Sequence, residues 1–186
     1  MNIEIKPLTP ALAEDFLRFF DFSAFSDNPD WAGCYCCFYH FGEKEWETRS
    51  GGENRGFAME SIQSGKMHGY LAYLEAEPVG WANANDRGAY KRLEQNQDLE
   101  DNGKILSVVC FTVAPKCRRH GVATKLLAAA IDGAKKDGYD YVEAYPIKNA
   151  FTESLCYHGH VEMFRKQGFK TVKETESYWV MRKALG

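Results

Sequence analysis

The chain has 186 residues, 45% of them hydrophobic and 14% aromatic, which is enough to bury a core and unlike a disordered sequence. Its 23 Lys and Arg against 26 Asp and Glu give a net charge of −3, without the basic excess of a nucleic-acid binder. No apolar run approaches the roughly 20 residues needed to cross a bilayer. The start, Met1-Asn2-Ile3-Glu4-Ile5-Lys6-Pro7, lacks the basic and apolar stretches of a secretory signal. A soluble cytoplasmic protein is expected, with no nucleic-acid or membrane partner. Its six cysteines are then expected to be reduced.

In chain order, Ile3 and Ile5 alternate with polar neighbours and predict a first strand. Thr9-Pro10 reads as a helix start, with the helix over 11–19. Residues 21–50 are crowded with aromatics but follow no period, so an irregular segment is expected. A second helix is expected over 53–64, stopped by Gly65. Residues 70–75 and 79–85 predict a hairpin, turning at Ala76-Glu77-Pro78. A polar connection over 86–103 leads to 105–113, an apolar β-branched run suited to a strand covered on both faces. Val122, Leu126, Ala130 and Ala134 recur every four residues, widened by Leu127 and Ile131, and predict an amphipathic helix that Gly138 ends. A strand over 141–145, a short helix over 160–167 and strands over 169–175 and 178–182 complete the pattern. The reading is a single mixed α/β domain spanning 1–186, with an antiparallel first half and a β-loop-α-β unit in the middle.

The chemistry is concentrated where the strand over 105–113 passes through Ala114-Pro115-Lys116-Cys117-Arg118-Arg119-His120-Gly121 into the amphipathic helix. The first turn of a helix carries free N–H groups and a partial positive charge, which suits a phosphate. Gly121 lets a ligand approach the backbone, Ala123 keeps the helix start uncluttered, and Arg118, Arg119 and Lys125 add positive charge.

Arg118-x-x-Gly121-x-Ala123 resembles the Q/R-x-x-G-x-G/A signature of the GNAT family of N-acetyltransferases, set between a strand ending in Val-x-Pro and an amphipathic helix. Glu77-Pro78-Val79-Gly80-Trp81 is similar to the family's strand-turn-strand. Phe164-Arg165-Lys166-Gln167-Gly168-Phe169 is similar to its late helix ending in Gly-Phe. The resemblance implies a mixed sheet of about seven strands, splayed between two middle parallel strands and flanked by about four helices. It also implies acetyl-CoA as donor, a CoA-binding core over about 104–146 and an acceptor-side segment over about 20–65. By the same resemblance the pantetheine arm lies along Cys110, Phe111, Thr112 and Val113. The diphosphate lies on Arg118, Arg119, His120, Gly121, Val122, Ala123 and Thr124. The implied reaction is direct attack of an amine on the thioester, with no metal. The acceptor is an amine of a small molecule or peptide, and the protein is a monomer or homodimer.

The resemblance fails at one position. The family's proton-donating Tyr precedes the Gly of Gly-Phe by four residues, and here that place holds Phe164. Tyr157 is the replacement candidate, with Cys156 and His158 as others. Glu143 is the expected carboxylate base, with Glu100 and Asp101 weaker. This vacancy keeps open a second reading, a CoA-binding sensor with little or no transfer activity. A third, nucleic-acid binding through residues 116–125, conflicts with the acidic balance.

Cys34-x-Cys36-Cys37-x-x-His40 suggests a metal, but zinc wants two separated ligand pairs, and only distant His158 and His160 could complete it. Buried thiols are the expectation. The aromatics between Trp31 and Trp46, and Trp81, are expected mainly in the core. His120 is expected to face solvent.

Overall fold

The computed structural model describes residues 2–96, 103–148 and 157–186. Glu100, Asp101 and Cys156 therefore lie outside the described residues.

Seven strands form one sheet: β1 (Ile3–Pro7), β2 (Gly69–Leu74), β3 (Glu77–Asp86), β4 (Ile105–Val113), β5 (Tyr141–Ala144), β6 (Lys170–Glu174) and β7 (Trp179–Ala184), in the order β1-β2-β3-β4-β5-β7-β6. β4 and β5 are parallel; the other neighbours are antiparallel. Among the described residues there are five α-helices: α1 (Ala13–Phe22), α2 (Glu43–Glu47), α3 (Gly51–Gln63), α4 (Val122–Lys136) and α5 (Val161–Lys166).

Local chemistry explains most boundaries. Pro10 opens a 3-10 turn, Pro10–Leu12, so α1 starts at Ala13 and runs to Phe22, later than the expected 11–19. Ser50 and Glu53 cap α3 reciprocally, the Ser50 Oγ accepting from the Glu53 N–H and the Glu53 carboxylate accepting from the Ser50 N–H at 2.8 Å. The β2–β3 turn falls on Glu75-Ala76, at φ 52° and 66°, rather than on Ala76-Glu77-Pro78. Two successive left-handed residues match the right-handed twist of a hairpin.

The sheet is covered on both faces. On β3, Gly80 faces α4, where an added Cβ would meet Val122 at 2.9 Å, while the next residue, Trp81, turns to the other face and meets Phe16 of α1 edge-on at 5.0 Å. Leu126, Leu127, Ala130, Ile131 and Ala134 bury the stripe of α4. Trp81 is wholly buried, as are Phe16, Phe19 and Phe164. The segment expected to be irregular consists of short turns, Pro29–Cys34 and Phe38–His40, followed by α2.

Two features of β4 set up the site. A bulge opposite Asn83 and Ala84 places Val109 between the register pairs Asn83↔Cys110 and Ala84↔Val108. Val109 and Cys110 then both contact a cluster built on Tyr39, Tyr90, Tyr145 and Val180, while Val108 and Phe111 belong to the main core. In addition, the β4–β5 ladder ends at Val108↔Ala144, although β4 continues to Val113. The strands part there, leaving the backbone of the last five residues of β4 without a partner in β5.

Candidate active site

A cleft of about 600 Å³ opens beside that unpaired end of β4. Phe111, Thr112 and Val113 form one wall, and Arg118, Arg119, Gly121, Val122, Ala123 and Thr124 form its end at the start of α4. Gly121 is the N-cap, at φ 77°, and supplies no side chain to cap the helix. The first helical bond to close on it is from Lys125 N–H to the Gly121 carbonyl, at 3.1 Å. The donors of the first turn thus face a cleft, and a Cβ on Gly121 would meet no atom within 4 Å. That arrangement fits a diphosphate.

Nine of the eleven residues expected to hold CoA line this cleft; Cys110 and His120 do not. Cys110 lies beside Cys36 and 3.7 Å from Thr112 Oγ1. His120 is exposed, and its Nδ1 donates to the Arg118 carbonyl at 2.7 Å. Arg118 itself does not offer a free guanidinium. Its Nη2 donates to Asp27 Oδ1 at 3.0 Å, Nη1 pairs with Oδ2, and Nε donates to the Val113 carbonyl at 3.1 Å. Arg118 therefore ties the loop after β4 to residues 24–31, which form the opposite wall through Ala24, Phe25, Asp27, Asn28 and Trp31. Asp27 carried no signal in the sequence, since its partner lies 91 residues away.

Tyr157 lines the same cleft, against Trp31 at 5.4 Å. Burial, with smaller contributions from Cys110, Cys34 and Cys36, raises its phenol above the usual range, so it remains protonated at neutral pH. Phe164, at the family's Tyr position, is fully buried between Phe111 and Phe169, with ring centroids at 6.3 and 5.4 Å. That position faces core.

Glu143, expected as a base at the gap, is placed otherwise. It is fully buried on β5, with Arg182 donating twice to Oε1, from Nε at 2.8 Å and from Nη2 at 2.6 Å. Tyr145 Oη donates to Oε2 at 2.8 Å, and Arg87 Nη1 lies 3.7 Å from it. Tyr145 Oη also meets Ser107 Oγ at 2.7 Å. The carboxylate is thus engaged by Arg182 of β7, by Tyr145 beyond the end of its own strand and by Arg87 after β3. The sequence reading missed Arg182 because nothing marks a pairing 39 residues apart.

A second cleft, of about 480 Å³, lies on the side of the small aromatic cluster and is walled by Phe38, Tyr39, Tyr145, Tyr178 and His158. His158 and Tyr157 stack at 4.0 Å, yet Tyr157 lines the first cleft and His158 the second. Tyr39 Oη lies 3.2 Å from His158 Nδ1. The thiols near this region are buried groups. Cys37 Sγ donates to the Tyr35 carbonyl at 3.3 Å, and burial pushes the Cys36 and Cys37 thiols up.

The sequence profile of the acetyltransferase (GNAT) family matches residues 31–169. A search of curated proteins finds no match. Among solved structures, the PaiA N-acetyltransferase from Thermoplasma acidophilum, in complex with coenzyme A, is 17% identical with TM-score 0.60 over 99% of both chains. Ribosomal-protein-alanine N-acetyltransferase from Brucella melitensis is 18% identical with TM-score 0.59, over 98% of this chain and 99% of that one. The NatC complex bound to Gag peptide and CoA is 16% identical with TM-score 0.60 over the whole of both chains. With its splayed parallel pair, its signature turn and a profile match over most of its length, this chain belongs to the GNAT acetyltransferase family.

Proposed function

We propose that this protein transfers an acetyl group from acetyl-CoA to an amine of a small molecule or a peptide, by direct attack within a ternary complex. The observation that carries the reading is the uncapped start of α4, with Gly121 at φ 77° facing a cleft of about 600 Å³. Main-chain donors there would hold the diphosphate, and the unpaired edge of β4 from Cys110 to Val113 would hold the pantetheine arm. Acetyl-CoA brings an electrophilic thioester carbonyl; the protein supplies position and protons.

In this reading Tyr157, kept protonated by burial, gives its proton to the departing sulfur. Glu143 acts by position: through Tyr145 it braces the strand next to the gap. The whole chain, 1–186, is read as one acyltransferase domain, cytoplasmic, working as a monomer or homodimer without a metal. Two of the structural neighbours named above carry CoA, and one carries a peptide as well, which supports both the donor and a peptide as one acceptor class.

The placement of Phe164 in the core favours a second reading, a CoA-binding module with little transfer activity. Calorimetric binding of acetyl-CoA, followed by thiol release with a panel of amines, separates the two. Binding with amine-dependent release supports transfer. Binding without release supports the module. No binding to folded protein would sink both.

A further inference from the structure

The second cleft meets the first at the Tyr157–His158 contact, 4.0 Å between ring centres, which makes it the place from which an acceptor would approach. Its deep wall is uncharged. His158 is 6% exposed, held at Nδ1 by the Tyr39 hydroxyl and stacked on Tyr157. Around it stand the phenols of Tyr39, Tyr145 and Tyr178. Burial raises the first two well above the ordinary phenol range, so they stay neutral. The carboxylate behind them, Glu143, has its oxygens occupied by Arg182 and Tyr145.

The charges of this cleft lie at its rim. Its lining carboxylates among the described residues, Glu43 and Glu94, are both exposed. Its cations are Lys91, paired with Glu45 at 3.0 Å, and Arg92, whose guanidinium lies 3.8 Å from the centre of the Phe38 ring. Arg92 thus occupies the aromatic face that a cationic ligand would seek. The ring of Tyr39 is met by Phe38, Tyr90 and His158 near right angles. An ammonium entering past this mixed-charge rim would leave water for the neutral partners of the deep wall.

From this we infer that the acceptor, on the acyl-transfer reading above, is a weakly basic amine that enters uncharged (an arylamine, a hydrazine or an α-amine) and not an alkylammonium such as a lysine side chain or a polyamine. The proton balance agrees. A neutral amine forms the C–N bond as the C–S bond breaks, and the proton shed by nitrogen ends on sulfur, relayed by Tyr157. No proton remains for a base to store. An ammonium would add one, and burial, which pushes the His158 imidazole down to about 3, denies it that store.

The test is thiol release from acetyl-CoA with an arylamine, a hydrazide, an amino-acid amide and a primary alkylamine, each from pH 5 to 10. At pH 7 the neutral fraction of an α-amine with pKa about 8 exceeds that of an alkylamine with pKa about 10.4 roughly two-hundredfold. The greater nucleophilicity of the alkylamine offsets part of this. The weakly basic amines should lead by tenfold or more per total amine. The alkylamine's kcat/KM should climb about tenfold per pH unit without a break between 5 and 8. Tyr39→Phe should lower kcat/KM for the weak amines and leave acetyl-CoA affinity unchanged. An alkylamine that leads at pH 7, or a break between pH 5 and 8 that disappears in His158→Asn, overturns the inference. Release with no amine at all, from protein that binds acetyl-CoA, overturns the transfer reading and takes this inference with it.

Discussion

Arg182 on β7 closes on Glu143 of β5 through two nitrogens on one oxygen, Nε at 2.8 Å and Nη2 at 2.6 Å, and the glutamate is wholly buried. Breaking a buried pair from one side leaves the other charge without compensation, at a cost of about 3–5 kcal/mol. Glu143→Gln should therefore lower stability by an amount of that order in urea unfolding. Glu143→Gln combined with Arg182→Met should recover part of it, because the charge that faced the glutamate most closely is then gone, while Arg87, 3.7 Å from Oε2, remains. If the glutamate is a positioning group, folded Glu143→Gln will keep the wild-type shape of its pH–rate profile; loss of an ascending limb would make it a base after all.

The turn before α4 makes a separate prediction. At Gly121 an added side chain has open space but sits at φ 77°, which costs a non-glycine residue roughly 1–2 kcal/mol. Gly121→Glu should fold with that modest loss and bind acetyl-CoA at least 100-fold more weakly in calorimetry, since its carboxylate would occupy and repel the diphosphate position. Gly121→Ala separates the two effects: it should show the same strain and keep most of the affinity. Equal binding by Gly121→Glu and wild type would move the donor site elsewhere.

The sequence made some of this site legible and hid the rest for physical reasons. The strand over 105–113, the stripe on α4 and the signature turn are local patterns, in which each residue's neighbours in space are its neighbours in the chain, and they appear as expected. The irregular aromatic stretch has no period because it forms no long element; its side chains are placed by the sheet they cover. Arg118 shows the limit. Its type and position were readable, but Asp27, which takes its charge, is 91 residues distant. Glu143 shows it again, since a glutamate on a strand looks the same whether it faces a ligand or Arg182. The bulge at Val109 was also invisible, although it brings Val109 and Cys110 together toward the aromatic cluster.

Tyr157 and Phe164 permit a paired test of the proton donor. Tyr157→Phe keeps the ring against Trp31 and removes the hydroxyl, so KM for acetyl-CoA should change little while kcat falls by about 100-fold, the lower end of general acid catalysis. Adding Phe164→Tyr should not restore it. That hydroxyl would enter a core between Phe111 and Phe169, where an unmatched polar group costs about 1–3 kcal/mol. Rescue of kcat by the second change would show that position 164 reaches the gap.

Acid stability should report two imidazoles, the buried His158 and the half-buried His40. Burial pushes His40 down to about 4 and His158 to about 3, from an ordinary value near 6.5. The unfolded chain therefore takes up protons below about pH 6.5 that the folded chain refuses. Each histidine's contribution is fully present above that pH and is lost as the pH falls toward 4, by up to about 1.4 kcal/mol per unit. His40 packs on Tyr90 and Phe57 at 5.2 and 5.7 Å, and its buried Nε2 has no hydrogen-bond partner among the described residues. His40→Phe keeps the aromatic contacts and removes both the unmatched nitrogen and the proton uptake. Urea midpoints measured from pH 7.5 to 4.5 should fall less steeply in the variant, with the two proteins diverging only below about pH 6.5. Parallel curves would mean that His40 is protonated in the folded protein and that its nitrogen meets water.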